Sequence, residues 1–172
     1  MELKEKKIVI PVENMFNDLE FWYPFYRLKE AGAEVVVVGT GSADKYTGKS
    51  GTETKVDASA GDVEASDFDG IVIPGGYAPD IMRRYPEMVD LVRDIHNSGK
   101  VVAAICHAGW MLASAEIVEG KTLTSFFAIK DDLVHAGAKW VDREVVTDGK
   151  LITSRKPDDL PAFMKAIINA LK

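Results

Sequence analysis

Short runs rich in β-branched residues alternate along this chain with longer stretches of helical period, and few folds accept that order. KIVIPV (7–12), EVVVVG (34–39), GIVIPGG (70–76) and VVAAIC (101–106) are apolar at successive positions, as strands of a parallel sheet covered on both faces must be. Between the first two, DLEFWYPFYRLKEAG places Leu19, Trp22, Tyr23, Tyr26 and Leu28 at roughly helical spacing and stops at Gly32. Pro24 falls early in that helix, where a missing N–H matters little. YPEMVDLVRDIHNSGK reads as a second helix, and AGWMLASAEIV as a third, launched directly from the strand that ends in Cys106. PDDLPAFMKAIINALK begins with Pro157 and acids, a favourable start for a last helix. The pattern predicts an α/β fold with a mostly parallel sheet, in a single domain spanning 1–172. YTGKSGTETKVD (46–57) reads as a short strand pair and REVVTDGKLITS (143–154) as a hairpin turning at Asp148-Gly149, both expected as edge decorations. Only the first six residues are expected to fray.

The 172 residues, 47% hydrophobic, suit one compact core. A net charge of −6 without any basic cluster argues against nucleic acid as a partner. The apolar run near the N-terminus is too short for a secretory signal, and no run approaches a membrane span, so a cytoplasmic protein is expected. One cysteine cannot form an internal disulfide. His96, His107 and His135 lack ligand-like spacing, and the first strand leads into the acidic PVENMFNDLE rather than a phosphate loop. Neither a metal nor a cofactor is expected.

The lone cysteine, Cys106, sits where a buried strand turns at once into a helix, with Ala108 and Gly109 leaving room for a tight bend. Such an elbow presents its side chain at the carboxyl edge of the sheet, where ligands of open α/β folds bind. A nearby helix N-terminus favours the thiolate, which would lower the pKa from about 8.5 to about 5. A lone cysteine with apolar neighbours is otherwise an ordinary core residue. His107 and the sharp loop PGGYAPD (74–80) converge on the same rim. There the N–H groups of Gly75, Gly76 and His107 are candidates for an oxyanion hole, and the glycine pair reads equally as a tight turn. By themselves Glu20 reads as a first-turn acid and Asp80 as an N-cap for IMRR.

AICHAGW, IVIPGGYAPD, FNDLEFWYP and IKDDLVHAGAKWVDREVVTDGKLITSRKPDDLPAF together resemble the PfpI family of intracellular cysteine peptidases, relatives of the parkinsonism-associated protein deglycase. The resemblance covers essentially the whole chain. It implies a flavodoxin-like three-layer α/β/α sandwich with a nucleophile elbow, assembled as a homodimer or hexamer. Cys106 matches the family nucleophile, His107 its following histidine, and Glu20 a glutamate that reaches the sulfur. Asp80 matches an acid that orients the histidine from a neighbouring subunit. Asn17 stands where an acid is common, and Phe126 where the archaeal peptidases have tyrosine, which weakens the peptidase reading. Two function classes follow. One is a cysteine hydrolase, acting on a peptide or on a small aldehyde and its adducts; the other is a redox or stress sensor in which Cys106 is oxidised without turnover.

Overall fold

The computed structural model describes residues 2–172. Strand β1 (Lys7–Val12) leads into helix α1 (Asp18–Glu30), and β2 (Glu34–Gly39) returns beside β1 in parallel register from Lys7↔Glu34 to Val12↔Gly39. A separate pair, β3 (Lys45–Thr47) and β4 (Glu53–Lys55), precedes the short β5 (Ala58–Ser59). Next come β6 (Gly70–Ile73), α2 (Ala78–Met82), α3 (Pro86–Asn97) and β7 (Val101–Ile105). After β7 the chain makes one 3-10 turn at Cys106–Ala108 and continues as α4 (Gly109–Ser114). The remainder is β8 (Thr122–Leu123), α5 (Lys130–His135), β9 (Lys139–Trp140), β10 (Val145–Asp148), β11 (Leu151–Ser154) and α6 (Leu160–Leu171).

Seven strands form the main sheet in the order β10-β11-β7-β6-β1-β2-β5, parallel except for the antiparallel β10–β11 pair. Helices cover both faces: α1 packs with α6, and α3 with α4. The central strands are dry on both sides, with Ile8, Val9, Ile10, Ile71, Ile73 and Val102 all within 1% of complete burial. Each such side chain contributes about 1.5–3 kcal/mol relative to exposure. The chain leaves β1 toward β2 on one side, while β6 and β7 lie on the other. The carboxyl ends of β1, β6 and β7 therefore bound the crevice where the strand order reverses.

Two expectations need correction. The hairpin is no decoration, because β11 pairs in parallel with β7 from Leu151↔Val102 to Ser154↔Ile105 and is buried throughout; only β10 is an edge. A four-residue run offers too little periodicity to separate an edge strand from the one inside it. Nor do residues 2–6 fray: Leu3 is fully buried and donates its N–H to the Ala31 carbonyl at 2.9 Å. Glu2 pairs with Arg27 and Lys172, tying that segment to two helices. Met1 lies outside the described residues. Among those residues, no helix is long and apolar enough to cross a membrane.

Candidate active site

Cys106 is the elbow. Ile105 is extended at φ −121°, ψ 146°, and Cys106 follows at φ 61°, a left-handed conformation that non-glycine residues adopt only under constraint. The bend aims the sulfur into the crevice, with Sγ 3.2 Å from His107 Nδ1. Glu20 comes from the first turn of α1, whose N-cap Asn17 accepts the N–H groups of Leu19 (3.1 Å) and Glu20 (3.3 Å). That cap fixes the helical rotation that turns Glu20 inward, where it is fully buried. Its Oε2 accepts the Gly75 N–H at 2.8 Å, and the buried Oε1 has no hydrogen-bond partner.

The two glycines are required by contact. A Cβ on Gly75 would lie 2.5 Å from Glu20 Oε2 and 2.8 Å from Cys106 Cβ, so only glycine lets the carboxyl and the sulfur close on the loop. Gly76 has φ 82°, and a Cβ there would meet Asn17 N and Met15 O at 2.5 Å. The Gly75 N–H belongs to Glu20, so it is removed from the expected oxyanion hole. The N–H groups of Gly76 and His107 face the sulfur.

Burial governs the ionisation of these groups. It pushes the Glu20 carboxyl up to about 7, against the opposing pull of the Gly75 N–H, the Lys49 charge and the Cys106 thiol. Burial, followed by the Glu20 carboxylate, pushes the Cys106 thiol up to about 12, although the His107 and Gly76 N–H groups oppose it. This direction is opposite to the lowering expected from a helix dipole: α4 is only six residues long and Cys106 is buried. Cys106 and Glu20 cannot both carry charge cheaply, so around neutrality one negative charge belongs to the pair. When the proton sits on Glu20, the like charge is gone and the acid becomes a donor to sulfur. Burial and then the Lys49 charge lower the His107 pKa, keeping its ring neutral.

The sulfur opens into a cleft of about 400 Å³ walled by Met15, Asn17, Tyr77, Trp110 and Phe126, with Lys49 and Lys156 at its rim. His107 stacks on Phe126 (centroids 4.9 Å apart, 27°) and meets Trp110 edge-on at 5.2 Å. Phe126 therefore positions the imidazole without supplying a proton. Asp80 lies inside α2 rather than at its N-cap, and its carboxylate pairs with Arg84. It does not reach His107 within this chain. Lys49 escaped the reading of the sequence, because only the fold brings the β3–β4 turn over Cys106. The available signal was a lysine between glycines in TGKSG.

The DJ-1/PfpI family sequence profile matches residues 6–170. The chain belongs to the DJ-1/PfpI family. It is 42% identical to deglycase PfpI of Pyrococcus furiosus, over 96% of this chain and 99% of that one. Protein/nucleic acid deglycase 2 of Escherichia coli is 39% identical, over 96% of this chain and 98% of its own length. The fold superimposes with a TM-score of 0.95 and 45% identity on a two-domain Anabaena variabilis protein containing DJ-1/ThiJ/PfpI-like and ferritin-like domains. That match covers 97% of this chain and 48% of the longer one. The family architecture, with a mostly parallel sheet and an elbow cysteine at its carboxyl edge, is the one the sequence motifs announce.

Proposed function

We propose that this protein is a cysteine-dependent hydrolase of the PfpI type that acts as a glyoxalase or deglycase on small reactive aldehydes and their early adducts. The observation that carries the reading is the strained Cys106, whose sulfur sits among the Glu20 carboxyl, His107 Nδ1 and two free N–H groups at the base of a small cleft. Glu20 takes the thiol proton as sulfur adds to the aldehyde carbon, and the oxygen develops its charge at the Gly76 and His107 N–H groups before it is protonated. For an α-oxoaldehyde, neutral His107 removes the hydrogen of that carbon as a proton and returns it to the neighbouring ketone carbon. The aldehyde carbon rises to a thioester, the ketone falls to an alcohol, and water releases the α-hydroxy acid and the thiol. A cleft of this size suits such a substrate better than an extended polypeptide.

Methylglyoxal consumption with lactate quantified, in freshly reduced wild type and in Cys106→Ser, tests this. Turnover is expected in wild type and is expected to vanish in the variant while the fold is retained. Turnover that survives the substitution overturns the mechanism. Absence of turnover in both, with Cys106 recovered as a sulfinate after mild peroxide, favours the sensor reading, in which protonated Glu20 caps the oxidised sulfur. Assembly as a homo-oligomer belongs to the same proposal, supported by exposed Leu19, Tyr23 and Tyr26 on α1 and Tyr77 beside the cleft. In it Asp80 orients His107 across subunits.

A further inference from the structure

The whole chain carries a net charge of −6, yet no carboxylate lines the Cys106 cleft among the described residues. Glu20 sits behind Gly75, and Asn17 in the wall is a neutral amide spent on the α1 cap. Two lysines stand at the rim. Lys156 has a surface partner in Asp158 at 3.4 Å, and nearby Lys45 pairs with Glu53 at 2.9 Å, whereas Lys49 is in no ion pair among the described residues.

The position of Lys49 is built, not incidental. Its N–H donates to the Phe16 carbonyl at 2.9 Å, and Phe16 in turn bridges to Gly76, the residue whose N–H faces the sulfur. On the other side, Asp18 at the start of α1 accepts the N–H of Ser50 (2.8 Å), the N–H of Thr52 (3.1 Å) and the Thr52 hydroxyl. Trp22 Nε1 donates to that hydroxyl as well, at 2.8 Å. Gly48 is pressed against the same carboxylate, since a Cβ there would lie 2.6 Å from Asp18 Oδ1. A turn of five residues is thus fastened at both ends to the elements that make the active site, and the side chain it delivers is an ammonium in no direct ion pair among the described residues, whose nearest charge is the one Glu20 and Cys106 share behind the cleft.

We propose that Lys49 is a specificity-determining residue which gives the cleft a preference for aldehydes and α-oxoaldehydes that carry a carboxylate. This deepens the aldehyde reading above and rests on it for the reaction. Lys49 is exposed at the cleft, so its pull on an anion is that of a surface charge, modest and weakened by salt, and it acts together with Lys156 on the same cleft. The apolar wall of Trp110, Phe126 and Met15 accepts the carbon chain between the two ends.

The test compares two reagents at the same sulfur. Iodoacetate and iodoacetamide both alkylate Cys106 by forming an S–C bond with loss of iodide, so the thiolate fraction cancels in the ratio of their rates. That ratio is expected to fall about threefold from wild type to Lys49→Met, to be retained in Lys49→Arg, and to decline in wild type as salt is raised. Alongside it, kcat/KM is measured for dioxovalerate, an α-oxoaldehyde ending in a carboxylate, and for its neutral methyl ester. The anion is expected to be preferred by wild type and to lose that preference in Lys49→Met. An alkylation ratio unmoved by Lys49→Met overturns the proposal even if both aldehydes are turned over. If neither is turned over but the ratio falls, the role of Lys49 stands and the aldehyde reading fails.

Discussion

Gly75 is where the demands of the site are tightest. Its N–H holds Glu20 Oε2 at 2.8 Å, its α-carbon faces Cys106, and it has no room for a methyl group. Gly75→Ala is expected to destabilise the fold by ~1–3 kcal/mol through overpacking and to spread the carboxyl from the sulfur. Denaturant unfolding checks the first effect and Cys106-dependent turnover the second; an alanine variant with unchanged stability and activity would contradict the contact geometry. The sequence made the position of Cys106 legible, because a small apolar strand running into Ala108-Gly109 leaves few other shapes. It could not show the ionisation. The thiol is pushed up, not down, first because the fold buries it and then because a carboxyl from the first helix closes against it, and no local pattern around Cys106 contains either fact. Asp80 misled for a related reason: an acid before IMRR looks like a cap, but the preceding Ala78 and Pro79 already belong to the helix.

Among the elements, α1 has the most work to do. Its first turn carries Asp18, Glu20 and, at the cap, Asn17, so one short segment orients the acid beside the sulfur and fastens the 48–52 turn over the cleft. Burial opposes ionisation of Asp18, but the hydrogen bonds from Thr52 and Ser50 outweigh it and hold the carboxyl below its ordinary value. Asp18→Ala leaves two N–H groups and a hydroxyl without their acceptor, a loss of ~1–3 kcal/mol. Amide hydrogen exchange at Ser50 and Thr52 is expected to accelerate while the core strands keep their protection. Unchanged exchange at those two amides would mean that the turn is held by something else. The strand pattern that predicts β1, β2, β6 and β7 is legible because those strands are buried on both faces over several residues. β11 was undervalued because four residues of LITS carry no such signature, and its neighbour is set by the return of the chain through α5 and β9.

At the scale of the whole molecule, the buried Glu20 makes folding stability depend on pH. Its carboxyl titrates near the ordinary 4.5 when unfolded and at about 7 in the fold, so the folded state binds the extra proton between those values. The stability of burying the neutral acid is fully present below 4.5 and is lost as pH rises through about 7. Glu20→Gln removes this dependence. The variant is expected to unfold at a higher temperature than wild type at pH 8, by at most ~3 kcal/mol, with the difference closing toward pH 4.5. Taking the difference between the two proteins cancels the opposite trend from Asp18 and Asp80, whose lowered pKa values stabilise the fold at higher pH. The same proton is visible from the sulfur, and that view tests the central claim most directly. The rate of Cys106 alkylation by iodoacetamide is measured against pH in wild type and Glu20→Gln. If Cys106 and Glu20 share one charge, the wild-type rate rises with the first ionisation of the pair, near pH 7, and then levels, because the fraction of that charge on sulfur no longer changes with pH. In the glutamine variant that midpoint moves away, to wherever the thiol titrates alone. An identical midpoint in both proteins would contradict the account, since Cys106 would then ionise without reference to Glu20.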